Sequence, residues 1–184
     1  RAADGEAPTY FEVVTAMALW QFERAGVDVA VLEVGMGGEF DATSAVSPVA
    51  SAVTNVSLEH TSVLGDTVEE IARTKSYVAP EGRPLVTGTE GAALRTVQEQ
   101  ADGVVTVGDD AWTGEGATGS DTAGEHESPD VLVEYRGRVD HQHASVGISA
   151  EGWSVDADVP LLGEHQAKNA GVACALARQV GDVL

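Results

Sequence analysis

Three polar residues of this sequence stand where chemistry could be done. Glu33 lies at the end of a short apolar run, Val29–Val34, and Gly35, Gly37 and Gly38 follow at once. His60 lies just past a second apolar run, Val49–Val56. Lys75 sits on a stretch with helical signals, in a chain whose only lysines are Lys75 and Lys168. Ligands of open α/β sheets bind outside the carboxyl ends of the strands, so a carboxylate there, beside a loop of small residues, is placed to hold a metal ion next to phosphates. An imidazole can serve the same kind of cation, and Mg²⁺ prefers the carboxylate. A nearby lysine can meet phosphate as a point charge, or be carbamylated and behave as a carboxylate. Each residue also has a plainer reading: Glu33 as a chance acid before a glycine turn, and Lys75 as a surface lysine paired with Glu69 or Glu70.

The elements that must position these residues follow from periodicity. Thr9 and Glu12 have capping-box spacing and open a helix to Ala25, with Gly26 as its stop. Its stripe of Phe11, Val14, Ala18 and Phe22 is assigned to the core. Val27–Val34 reads as a fully buried parallel strand and Val49–Val56 as a second. Thr67 and Glu70 repeat the capping spacing and open a helix to about Val78, on which Lys75 shares an apolar face with Ile71 and Val78. Leu85–Thr87 is a third strand, Ala92–Ala101 a helix and Val104–Val107 a fourth strand. Such alternation predicts parallel βαβ units. Residues 109–130 hold seven acids, four glycines and no Lys or Arg, and are expected to form an acidic surface loop, with His126 solvated in it. Val131–Tyr135, Val139–Ile148 and Trp153–Val159 follow without helices between them and are expected to be antiparallel. His141 and His143 would share one face of such a strand, but no Cys or third ligand accompanies them. Gly163–Gly181 is a final helix carrying Glu164-His165-Gln166-Ala167-Lys168-Asn169-Ala170. The predicted class is α/β: a mostly parallel sheet flanked by helices, with a small antiparallel β portion. The expected divisions are 1–108, the loop 109–130, the strands 131–162 and the helix 163–184.

Charge narrows the function. Thirty acids face ten Lys and Arg in 184 residues, a net charge of −20. Such a surface repels nucleic acid and anionic membranes, and neither is an expected partner. A lysine-poor acidic surface over an ordinary core suits a halophilic cytoplasm, where salt screens the self-repulsion. The single cysteine, Cys174, falls in an apolar helical pattern and is expected to be a small core residue. No signal peptide or membrane-spanning run is present. The chain starts at Arg1 without Met, and a fragment is expected.

Four stretches carry a resemblance: TYFEVVTAMALWQF, VAVLEVGMGGEFDATS, SLEHTSVLGDTVEEIARTKS and PLLGEHQAKNA. In this order they resemble the folylpolyglutamate synthase and dihydrofolate synthase family of the Mur ligase superfamily, over most of 8–108 and 160–175 and only weakly over 109–159. The resemblance implies a central ATPase domain. It implies that Glu33 binds Mg²⁺, that His60 is a ligand of a second Mg²⁺, and that Lys75 is carbamylated near that metal. It also places Asp41 on the pterin side, and Gln166 and Asn169 in a motif whose Asn contacts adenine. Glu59, Glu39 and Ser44 depart from the family's common Asp, Arg and Asn. The implied reaction consumes ATP, with Mg²⁺, to make an acyl phosphate of a folate or dihydropteroate carboxylate, which the amine of L-glutamate attacks. Cations stabilise the charge on the transferring phosphoryl oxygens, and no side-chain nucleophile is required. A phosphate loop GxxxxGK[ST] does not occur in the sequence. The chain is therefore expected to be the middle of the ATPase domain, inactive alone, with a further domain after Leu184 and a cytoplasmic monomer as the full-length form. The competing readings are another Mur-type amino-acid ligase, which the DATS run argues against, and a non-catalytic acidic module, which the intact Glu33, His60 and Lys75 argue against.

The charge has a direct consequence for stability. Because added salt screens the repulsion among the acids, the melting temperature should rise as KCl is raised from dilute to molar concentration, as thermal unfolding followed by circular dichroism would measure.

Overall fold

The computed structural model describes residues 7–112 and 128–181. Six strands form one sheet in the order β1 (Ser51–Val53), β2 (Leu85–Thr87), β3 (Val104–Gly108), β4 (Val131–Arg138), β5 (Ala144–Ala150) and β6 (Trp153–Val159). Neighbours are parallel from β1 to β4 and antiparallel from β4 to β6. The mixed sheet with flanking helices is the class expected from the sequence. The expected acidic loop lies largely outside the described residues, as does His126.

Among the described residues five α-helices accompany the sheet, α1 (Tyr10–Ala25), α2 (Thr61–Leu64), α3 (Val68–Ser76), α4 (Gly91–Gln100) and α5 (Glu164–Gly181), with a short 3-10 turn at Ala42–Ala45. Helices α3 and α4 pack together on one face, over a cluster of Val53, Ala72, Leu85, Ala93 and Val97. On the other face α5 lies across the strands, over Val86, Val107, Val131, Val133, Val146 and Ile148. The β4 burial alternates, as period-2 side chains with one face inward require. No helix among the described residues is long and apolar enough to cross a membrane.

Helix ends follow their signals. Thr9 and Glu12 form the full capping box, Thr9 Oγ1 accepting from the Glu12 N–H and the Glu12 carboxylate accepting from the Thr9 N–H. Thr67 caps α3 through the Glu70 N–H, while the Glu70 carboxylate accepts from Asp66 N instead of closing the box.

Three expectations fail. Val27–Val34 forms no strand ladder, and Val31 is 84 % exposed. A parallel strand needs a paired backbone and cover on both faces; among the described residues nothing pairs with this run, and the outer edge of β1 is unpaired. The α1 stripe is likewise open: Phe11 and Val14 are exposed and only Thr15 is buried, because the helix packs on the 42–45 turn rather than on the sheet. A hydrophobic period reports what a segment could bury, not what is present to cover it. Residues 139–143, assigned above to a strand, form the β4–β5 turn, so His141 and His143 do not share a strand face. Asp140 accepts from the Gln142 and His143 N–H groups and pairs with His143 Nδ1 at 2.8 Å, closing that turn.

Helix α5 sits on the sheet through Gly171. A Cβ there would stand 2.3 Å from Val133 Cγ2 and 2.9 Å from Val107 Cγ1. Gly171→Ala should therefore lower stability by about 1–3 kcal/mol, as over-packed cores do, read as a lower midpoint in urea unfolding with an unchanged slope.

Candidate functional site

The glycine loop after Glu33 is built around Asp41. Its Oδ2 accepts from the Gly35 and Met36 N–H groups at 3.0 and 3.1 Å, and its Oδ1 from the Thr43 N–H at 2.9 Å and hydroxyl at 2.6 Å. Burial alone would raise the carboxyl's pKa. The four donors outweigh burial and hold it below the ordinary carboxylate value. The loop's glycines also have a packing reason. A Cβ on Gly38 would meet Val78 N at 2.8 Å and Thr74 O at 3.0 Å, and Gly37, at φ +73, lies over Thr74 and Leu64. The loop thus presses its backbone against the last turn of α3.

Glu33 itself is exposed and makes no side-chain hydrogen bond or ion pair among the described residues. His60 caps α2 in a left-handed conformation, φ 50 and ψ 37, with no cap bond from its ring. Among the described residues it is the one non-glycine residue with positive φ. Such a backbone costs on the order of 1 kcal/mol and persists only where its surroundings impose it. Lys75 supplies one constraint. Its Nζ donates to Glu59 Oε1 at 2.7 Å, with the two side chains 20 % and 45 % exposed, tying α3 to the residue next to His60. This bond and the lysine's charge hold the Glu59 carboxyl below its ordinary value, with His60 adding to the effect. Lys75 therefore pairs with neither Glu69 nor Glu70, and Glu70 is already engaged at Asp66.

Gln166 and Asn169 lie on the first turns of α5, where Asn169 Nδ2 donates to Gln166 Oε1 at 3.4 Å. Between them Lys168 donates to Glu90, the residue that precedes α4. Below this pair the end of β2 is polar but closed. Thr87 Oγ1 and the Gly88 N–H both donate to Val53 O, and Thr87 and Thr89 share a hydroxyl bond of 2.9 Å.

The structure brings the sequence-predicted residues together in separate pairs. Lys75 joins the His60 loop, Gln166 joins Asn169, and Asp41 organises the glycine loop. No hydrogen bond or ion pair links the side chains of Glu33, His60 and Lys75 to one another. Among the described residues no three His, Cys, Asp or Glu are gathered as a metal set. By donor chemistry the Glu33 carboxylate and the His60 imidazole each suit a cation that completes its shell from water and phosphate; Lys75 as an ammonium does not. Glu59 and Glu90 were not singled out from the sequence as partners of the two lysines, although the scarcity of Lys marked both positions.

Asp41 can be tested apart from any reaction. Its depressed pKa means that its stabilisation is complete above the ordinary carboxylate value and is lost as pH falls through the lowered one. Asp41→Asn should cost about 1–2 kcal/mol at neutral pH, and the gap to the native chain should close on acidification, as urea unfolding at several pH values would show.

Comparison with known proteins extends the geometry. The Mur ligase middle domain model matches residues 5–177. The probable bifunctional folylpolyglutamate synthase/dihydropteroate synthase of Haloferax volcanii is 61 % identical over 180 residues, which are 98 % of this chain and 20 % of that protein. A solved FPGS–AMPPCP complex superposes with a TM-score of 0.77 at 29 % identity, over 97 % of this chain and 40 % of the other. An FPGS–AMPPCP–folate complex gives 0.76 at 28 %, over 94 % and 38 %. The chain thus spans about a fifth of the length of the curated relative it matches. On a match that runs nearly its whole length, the chain belongs to the Mur ligase middle domain family.

Proposed function

We propose that these residues are the central ATP-binding part of a longer amide ligase that adds L-glutamate to the carboxylate of a folate or dihydropteroate. The observation that carries this reading is the likeness, over 94 % of the chain, to a complex that holds both AMPPCP and folate. The reaction consistent with it has two steps. A substrate carboxylate oxygen takes the γ-phosphoryl group of ATP and ADP leaves. The glutamate amine then attacks the acyl carbon, phosphate departs and the nitrogen gives up a proton.

In this reading Gln166 and Asn169 face the adenine, and the glycine loop held by Asp41 borders the pterin side. The Asp41 carboxylate has four internal donors, so its part there is to hold the loop's shape. Glu33 would hold one Mg²⁺ and His60 a second, and these ions would supply charge neutralisation on the phosphates. Lys75, as an ammonium, orders the His60 loop through Glu59. A carbamylated Lys75 would have to give up that bond. The acidic, lysine-poor surface accords with the Haloferax relative and with a cytoplasmic enzyme working at high salt.

The test is ligation by the full-length protein that contains this chain. Purified protein should hydrolyse ATP only when both a folate substrate and L-glutamate are present. Residues 1–184 alone, which contain no GxxxxGK[ST] pattern, should show no turnover. Lys75→Ala in the full-length protein should lower kcat by about a hundredfold, on the scale of losing one preorganised hydrogen-bond donor from a charge-stabilising site, with circular dichroism unchanged. Hydrolysis that ignores folate and glutamate would refute the reading.

A further inference from the structure

We infer that Lys168 is a positioning residue: its ion pair with Glu90 fixes the first turn of α5 on the end of β2 and so aligns Gln166 and Asn169 for a purine base. The inference rests on the functional reading above, which supplies the base; the latch itself comes from the geometry.

The pair joins two elements far apart in sequence at the carboxyl edge of the sheet. Glu90 sits at the N-cap of α4, where a Ser, Thr, Asp or Asn side chain would ordinarily accept from the helix N–H groups. Its carboxylate makes no such bond and turns to Lys168 instead. The lysine stem crosses Gly88. A Cβ there would stand 3.6 Å from Lys168 Cε, 3.5 Å from Val172 Cγ2 and only 2.6 Å from Thr54 O. The ends of β1 and β2 and the flank of α5 therefore converge on one residue without a side chain.

A helix held at one point can pivot. Gly171 seats α5 on Val133 and Val107, and the Lys168–Glu90 pair adds a second hold less than one turn away. Lys168 follows Gln166 by two residues and precedes Asn169 by one. The side-chain amides of Gln166 and Asn169 already meet each other, and a hydrogen bond weakens steeply as its angle departs from linear. A small tilt of this turn would thus spoil recognition of a base without unfolding anything. Lys168 is partly buried at 22 % and Glu90 exposed at 41 %, so the lysine is held along its stem while the carboxylate meets it from the solvent side. In a chain with thirty acids and two lysines, both lysines bind a helix to the loop after a strand, Lys75 at Glu59 and Lys168 at Glu90.

The experiment uses the full-length enzyme with Lys168→Met, Glu90→Gln and the exchanged pair Lys168→Glu with Glu90→Lys. Each single variant should raise the KM for ATP about tenfold, equivalent to roughly 1.4 kcal/mol of binding. The same variants should keep kcat within about twofold of the unaltered enzyme, as expected when only ground-state and transition-state binding fall together, and should lower the preference for ATP over GTP. The exchanged pair should restore both KM and preference. Native values in the single variants overturn the inference. So does a fall in kcat and melting temperature with the ATP preference intact, which would mark the pair as structural only. If the unaltered enzyme makes no ATP-dependent glutamate amide, the functional reading fails and the inference falls with it; an active enzyme with insensitive variants removes the inference alone.

Discussion

The close approach of α5 to the sheet is the constraint on which the rest of the structure depends. Gly171 allows it, because any side chain there would overlap Val133 and Val107. With the helix seated, its apolar side closes one face of the core, and its first turn stands at the carboxyl ends of the parallel strands. The other face is closed independently by α3 and α4. The apolar faces close without the polar residues at the strand ends, whose hydrogen bonds shape loops and add to stability there. Thr87, Thr89 and Gly88 close the end of β2, Asp41 closes the glycine loop, and Glu59 ties His60 to α3 through Lys75.

Much of the fold was legible in the sequence, because local signals and tertiary packing agreed there. Leu85–Thr87 and Trp153–Val159 formed as strands at the predicted residues, and the caps at Thr9 and Thr67 opened helices as their spacing required. The Val27–Val34 run was misread for a physical reason. Its composition is that of a buried parallel strand, yet strand formation is a property of a pair of segments and not of one. The turn at 139–143 was missed because Val139 and the two histidines mimic alternation, while Asp140 accepts from the backbone and bends the chain.

The pairings among the candidate residues were not readable from the sequence. Glu33, His60 and Lys75 were marked by their types and positions, and Gln166 and Asn169 by the family resemblance. That Glu59 and Glu90 are the partners of the two lysines could not be read, since sixteen and seventy-eight residues separate the members of each pair. Asp41 shows the opposite case. Its Asp-Ala-Thr-Ser context marks a turn as well as a site, and the four donors around its carboxylate show the turn chemistry.

The glycine loop also governs how the molecule opens. Residues 7–46 meet the remainder where Gly37 and Gly38 press on Thr74, Leu64 and Val78, while Phe11 covers Gly35 within the segment itself. Helix α1 buries only Thr15, so releasing this segment exposes little new apolar surface. Its amides would exchange with solvent through a local opening that leaves the six-stranded sheet closed, whereas those of β2 and β3 would exchange only on global unfolding. The segment that carries Glu33 and Asp41 thus opens more readily than the sheet beside it. A ligand that bridged the two would raise its protection without altering the core.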